Sequence, residues 1–180
     1  TLVVVLNADQ GLFSTDFRAS ERLAQTIVQV AGRAGRADRP GEVLIQTEYP
    51  DHKLLTLLLQ GGYDAFAAGA IAEREQGRWP PFARLALLRA EASHPRAPMR
   101  FLDAALAVGR EQGAADVTLL GPVPAAMERR AGRHRAQLLV HASTHGPLQR
   151  FLNRWIPALE DLPDAKRVRW SIDVDPLELL

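Results

Sequence analysis

The chain of 180 residues contains no cysteine and only two methionines. With no thiol, a disulfide framework, a thiolate zinc site and a cysteine nucleophile are all excluded within it. It also lacks an excess of either charge: 22 Lys and Arg stand against 21 Asp and Glu, a net +1, so overall charge announces no nucleic-acid partner. The five histidines never fall in an H-E-x-x-H pattern, which excludes that zinc-hydrolase arrangement. No apolar run approaches the ~18–20 residues of a membrane helix, and no charged-then-apolar leader precedes a cleavage site. A soluble, intracellular domain without a membrane partner is expected. What is present supports a core: 47% of residues are hydrophobic and 24% charged, which excludes disordered and collagen-like classes. The length fits one ordinary domain or two small ones.

The chain opens on Thr1-Leu-Val-Val-Val-Leu6, an aliphatic and β-branched run that predicts a strand buried on both faces, as in parallel sheets under helices. A strand of that kind needs neighbours and a lead-in, so a fragment of a larger protein is expected. Asn7 to Gly11 leaves the sheet. The spacing of Leu23, Ile27 and Val30 predicts a helix from about Phe17 to Ala34, ended by the Gly- and Pro-containing stretch 33–41. Val43, Leu44 and Ile45 mark a second strand over Glu42–Thr47. Two short helices, Asp51–Gln60 and Tyr63–Gln76, flank Gly61-Gly62. Alternating strands and helices argue a parallel α/β unit, and two strands cannot complete its sheet.

Gly77-Arg-Trp-Pro-Pro-Phe82 is the expected boundary, because two adjacent prolines permit neither helix nor central strand. The domains are therefore placed at 1–78 and 79–180. The second domain reads as a strand over Leu85–Ala92, a helix over Pro98–Gln112, and a strand Val117–Leu120 ending at Gly121-Pro122. A strand over Arg135–Ala142 and a helix over Leu148–Leu159, which Pro157 should kink or shorten, come next. The last strand, Arg167–Asp175, alternates Val168, Trp170, Ile172 and Val174 against Arg167, Arg169, Ser171 and Asp173. This βαββαβ order is the split-βαβ, ferredoxin-like one, with both helices on one side and the other sheet face open to partners. Eight basic residues stand against ten acidic before Phe82, and fourteen against eleven from it onward. The second domain is thus the mildly favoured polyanion surface.

The sharpest motif is Gln29-Val-Ala-Gly-Arg33-Ala-Gly-Arg36. In a continuing helix Gln29, Arg33 and Arg36 share one stripe, and two guanidiniums there can clamp a polyanion. A lone arginine in that place more often neutralises its own helix end; the pair, following a glutamine, favours the binding role. A second basic cluster is Glu128-Arg129-Arg130-Ala-Gly-Arg133-His-Arg135, a turn whose arginines can track phosphates without reading bases. Arg135 and Gln137 alternate onto the side opposite Leu138 and Val140, and with Arg167 and Arg169 would make the open face basic. Trp155 and Trp170 lie on apolar stripes and read as core. His141 and His145 lack convergent carboxylates, so no metal site is expected.

Q-x-x-G-R-x-G-R is the motif VI pattern of superfamily 2 helicases. The surrounding segments Leu6-Asn-Ala-Asp-Gln-Gly-Leu12, Asp16-Phe-Arg18, Gly41-Glu-Val-Leu-Ile-Gln-Thr47, Trp79-Pro-Pro-Phe82, Leu120-Gly-Pro-Val-Pro124, Arg133-His-Arg-Ala-Gln137 and Trp170-Ser-Ile-Asp-Val-Asp-Pro176 occur in order. Together they closely resemble the primosomal replication-restart helicases, the primosomal protein N′ family. The resemblance spans essentially the whole chain. It implies the C-terminal half of a RecA-like second helicase lobe, followed by a ribosomal S10-like domain of ferredoxin-like order. It further implies that Arg33 and Arg36 act as arginine fingers toward ATP, with Gln29 the leading polar residue and Asp9, Gln10 and Gly11 matching motif V. ATP, Mg²⁺ and a zinc module would be completed upstream, since this chain carries neither a G-x-x-x-x-G-K-[ST] loop nor cysteines. The resemblance also implies forked or single-stranded DNA and primosome proteins as partners in a bacterial cytoplasm. The C-terminal tail of single-stranded-DNA-binding protein would be held near His145 and Gln149. Two function classes follow, part of a DNA-dependent ATPase and helicase, or a DNA- and peptide-binding module without motor activity. A free-standing metabolic domain leaves the Q-x-x-G-R-x-G-R motif unexplained.

Overall fold

The computed structural model describes residues 2–34, 41–113 and 115–179. The chain divides into two compact units, Thr1–Gly77 and Arg78–Leu180.

In the first unit β1 (Leu2–Val5) and β2 (Glu42–Ile45) pair in parallel, Val5 opposite Ile45. A parallel pair needs a long crossover; here it contains the single turn α1 (Asp9–Leu12) and the helix α2 (Ala19–Ala34). α3 (Lys53–Gln76) follows β2. Ala24 and Ile27 of α2 meet Leu54, Leu55, Leu58 and Phe66 of α3, with Val5 and Ile45 packed on this cluster. The expectation of a strand buried on both faces is corrected. Both helices take the Val5–Ile45 side, and Val4 and Leu44 on the other are 48% and 47% exposed.

α3 is broken at Gly62, whose φ of 73° and ψ of −170° no helix residue adopts. Glycine alone takes this conformation without a Cβ clash. By length and composition α3 would be able to cross a membrane, although Gln60, Gly61, Gly62 and Asp64 interrupt its apolar run. The break leaves stretches 53–61 and 63–76, each shorter than the ~20 residues a bilayer requires.

The second unit forms a four-stranded sheet in the order β4-β5-β3-β6. The strands are β3 (Arg84–Ala92), β4 (Val117–Arg130), β5 (Arg133–Ala142) and β6 (Arg169–Val174), and all pairs are antiparallel. With α4 (Ala97–Gln112) and α5 (His145–Glu160) between them, this is the split-βαβ arrangement. Ala86, Leu88, Leu138 and Val140 point to one face and pack with Phe101, Leu102, Phe151 and Trp155 of the two helices. The apolar stripes read from spacing, Leu102-Ala105-Leu106-Gly109 and Leu148-Leu152-Trp155-Leu159, are all buried. α5 runs on through Pro157 to Glu160, because a proline in the last turn removes only one ladder bond.

Three expectations change. β4 does not stop at Gly121-Pro122; it runs to Arg130 with register shifts between Leu120 and Val123 and between Pro124 and Arg129. Prolines are tolerated there because β4 is an edge strand, where one side needs no ladder partner. Arg167 lies in the turn before β6 and pairs with Asp164 at 3.9 Å instead of joining Arg169 on the sheet. The face opposite the helices is also partly covered. The chain turns at Asp175, with φ of 52°, and returns over the sheet. There Arg89 Nη2 donates to the Glu178 carbonyl at 2.9 Å and Gln137 Nε2 donates to the Leu179 carbonyl at 2.9 Å. At the other end of the face His141 Nε2 lies 2.6 Å from the Arg78 carbonyl. Leu85 and Leu87, on this nominally open side, are 0% and 1% exposed.

Candidate nucleotide and nucleic-acid sites

In the first unit, chain direction brings the ends of β1 and β2 to the same edge. Asp9, at the start of α1, bridges them: Oδ1 accepts from the Thr47 hydroxyl, and Oδ2 accepts from the Glu48 N–H at 3.0 Å. Gly11 faces α2 so closely that a Cβ would lie 2.7 Å from Leu23 Cβ. Both candidate motif V residues therefore also hold the local fold together. Gln29 and Arg33 stand one turn apart on α2 and are both exposed. Arg33 makes no ion pair or hydrogen bond among the described residues. Space beside Gly32 is open, so a ligand can approach along that flank. N-terminal to Gln29, the same stripe continues through Thr26, Gln25 and Arg22, which with Val28 and Tyr63 line a broad depression. Arg36 lies outside the described residues.

Spacing missed the anchor of the loop before α2. Asp16 is 3% exposed, accepts from the Arg18 N–H at 2.9 Å, and pairs with Arg22 at 2.6 Å. Arg74 of α3 pairs with Glu21 and lies over the Phe17 ring at 5.3 Å. The signal was present: an aspartate two residues before an N–H at a helix start is a capping pattern.

In the second unit, Ala131 and Gly132 have φ of 49° and 78°, the left-handed pair that a two-residue hairpin demands. Arg130 faces Arg133 and Arg129 faces His134 across it. Directly opposed residues share a face, so the four arginines divide. Arg130, Arg133 and Arg135 lie on the face away from the helices, and Arg129 lies on the other with His134. The expected single cluster is thus three residues and one. His145 begins α5 and is exposed, with half-buried Gln149 one turn on. Arg150, which spacing did not single out, folds back until Nη1 lies 3.3 Å from where a Cβ on Gly146 would stand. Trp155 is buried and its Nε1–H donates to the Ala105 carbonyl at 2.9 Å; Trp170 stacks on Phe101 at 5.8 Å. Trp155 is core, as read, and Trp170 is half-buried and packs against that core. Among the described residues no three His, Asp or Glu side chains gather to hold a metal.

Arg100 Nε and Nη2 donate to the two Asp164 oxygens at 2.6 and 2.9 Å. These hydrogen bonds, then the charge of Arg100, hold the Asp164 carboxyl below the ordinary carboxylate value. A depressed folded-state pKa stabilises above the unfolded value of about 3.9, and the contribution fades as pH falls through the lower folded value. In a ¹³C carboxyl titration Asp164 should titrate below the ordinary aspartate value, and Arg100→Gln should move it up.

The geometry defines a mixed α/β chain, a parallel strand pair under helices joined to a split-βαβ unit with a basic hairpin. By its sequence the chain belongs to the family described as Primosomal protein N C-terminal domain, whose profile matches residues 75–177. It is 44% identical over 179 residues to the replication restart protein PriA of Haemophilus influenzae, covering 99% of this chain and 24% of that protein. It is 35% identical to the protein of that name from Rickettsia felis, over 98% of this chain and 26% of the relative. Identity to the Bacillus subtilis protein of that name is 32%, over 100% and 22% respectively. The chain spans about a quarter of the length of these curated relatives. The family expected from the motifs is the one found.

Proposed function

We propose that this chain works in bacterial replication restart as part of a DNA-dependent ATPase and 3′-to-5′ helicase acting at stalled or branched forks in the cytoplasm. In this reading the first unit belongs to a RecA-like second lobe, and the second is an S10-like domain that holds DNA. The observation that carries it is the exposed Arg33, with no ion pair or hydrogen bond among the described residues, one turn after Gln29 on a flank opened by Gly32. A guanidinium so placed fits a phosphate, and Arg36 follows in the motif. ATP with Mg²⁺, bound mainly by residues outside this chain, supplies the phosphoryl group; Arg33 presents its charge to the oxygens where negative charge develops. Asp9 and Gly11 shape the neighbouring strand ends. Zinc finds no fitting donor set among the described residues, so any zinc module lies elsewhere in the whole protein. His145 and Gln149, with Arg150 beside them, offer donors to an acidic peptide such as the C-terminal tail of single-stranded-DNA-binding protein. Other primosome proteins complete the set of partners.

A second reading, a DNA- or peptide-binding module without motor activity, is favoured by one observation: the second unit has its own continuous core. The test common to both is fluorescence anisotropy of this chain on a labelled fork. Binding should be salt-sensitive, and the Arg129/Arg130/Arg133→Ala triple variant should weaken it about tenfold or more at low salt. Absence of low-salt binding, or a variant that binds as wild type, removes the hairpin from the DNA surface.

A further inference from the structure

On the sheet face away from the helices, bordering the part covered by residues 175–179, lies a recess of ≈ 290 Å³. Arg89, Arg135 and Arg169 line it against one carboxylate, Glu91, with Gln137 and Ser171 between them. The cations are unequally satisfied. Arg89 is held by Asp173 at 2.8 Å and by the Glu178 carbonyl at 2.9 Å. Glu91 is shared between Arg169 at 3.6 Å and Arg133 at 4.0 Å, both longer than a hydrogen bond. Arg135 is half-buried and has no ion pair or hydrogen bond among the described residues. A guanidinium on a half-buried side chain, with no acceptor among the described residues, is an incomplete arrangement that an anion completes.

We propose that this recess seats one phosphate group of a nucleic-acid strand. Arg135 and Arg169 are its fork donors and the Ser171 hydroxyl a third. Arg130 and Arg133 of the hairpin stand on the same face, so the recess is the inner end of a basic track leading to the tip. Glu91 tempers the site: it engages Arg169 and Arg133 when no phosphate is present. The inference rests on the reading that the second unit binds nucleic acid, and it names a site apart from the exposed tip.

The first test is thermal unfolding of the 180-residue chain with inorganic phosphate against chloride at matched ionic strength. Phosphate should raise the wild-type Tm, and Arg135→Gln and Arg169→Gln should lose at least half the shift. Glu91→Gln should bind phosphate about fivefold tighter, a gain that misfolding cannot mimic. Equal shifts in all four proteins, or no wild-type shift, overturn the site. The second test is anisotropy of a 3′-labelled oligothymidylate bearing a 5′-hydroxyl or a 5′-phosphate. Equal weakening of both by Arg135→Gln, about fivefold with a salt slope shallower by about one, identifies a backbone phosphate. Weakening of the phosphorylated strand alone identifies a terminal one. If wild type binds neither strand at low salt, the nucleic-acid reading of the second unit falls, and the proposed occupant with it. If wild type binds and both Arg135→Gln and Glu91→Gln leave affinity unchanged, the recess alone is refuted.

Discussion

Trp155→Ala should destabilise the second unit by about 3–5 kcal/mol. The side chain is 0% exposed and sits where α5, α4 and the sheet converge. Phe151 packs on it at 5.1 Å between ring centroids, and its indole N–H donates to Ala105 of α4. On the α4 side Gly109 leaves no slack: a Cβ there would lie 3.1 Å from the indole nitrogen and 2.6 Å from Leu119 Cδ1. A cavity opened in such a place cannot close by moving one side chain, because α4 backbone borders it at Ala105 and Gly109. The Ala105 carbonyl retains its helix position, so loss of packing dominates over loss of the hydrogen bond. Trp155→Phe separates the two terms; it keeps most of the ring contact and should cost about half as much or less. Stability is to be read by urea unfolding followed by far-ultraviolet circular dichroism, because the substitution removes a fluorophore. Typical domains hold only about 5–15 kcal/mol, so the alanine variant should unfold at markedly lower urea. A loss under 1 kcal/mol would show that the helices close over the gap, and that Trp155 is not the centre of this core.

What made that core legible was periodicity. α4 and α5 each repeat apolar residues at helical spacing, and β3 and β5 alternate them, so facing stripes follow from sequence alone. The same logic failed at β4, where Gly-Pro-Val-Pro reads as punctuation. Whether proline ends a strand depends on whether that strand lies at an edge, and the order β4-β5-β3-β6 is a property of the assembled sheet. The covered face was likewise hidden. Arg89 and Gln137 hold carbonyls 89 and 42 residues further along the chain, and no local pattern encodes such a contact. At the candidate sites, Gln29 and Arg33 were visible because one helical turn separates them. The division of the hairpin arginines was not, because it follows from pairing Arg130 with Arg133 across a turn. A one-residue change of register would have reversed it.

In a full-length protein carrying this chain, Arg33→Ala should lower ATP turnover by about a thousandfold or more, while binding to a DNA fork stays within a few-fold. The separation follows from where the side chain sits. Arg33 is exposed on the last turn of α2 and supports no neighbour among the described residues, so removing it should not disturb the fold. The basic hairpin belongs to the other compact unit. If Arg33 acts on charge that develops only during phosphoryl transfer, kcat should fall while KM changes little. Arg33→Lys should recover only part of the activity, since an ammonium keeps the charge but not the planar fork. Gln29→Ala, one turn earlier on the same stripe, should reduce turnover less, because a neutral amide offers less to a phosphate oxygen than a guanidinium does. Unchanged turnover in Arg33→Ala would leave the exposed arginine a solvated helix end and favour the binding-module reading. Loss of turnover together with loss of fork binding and thermal stability would point to a structural role instead. Only selective loss of kcat in a folded, DNA-binding variant supports a motor role for this chain.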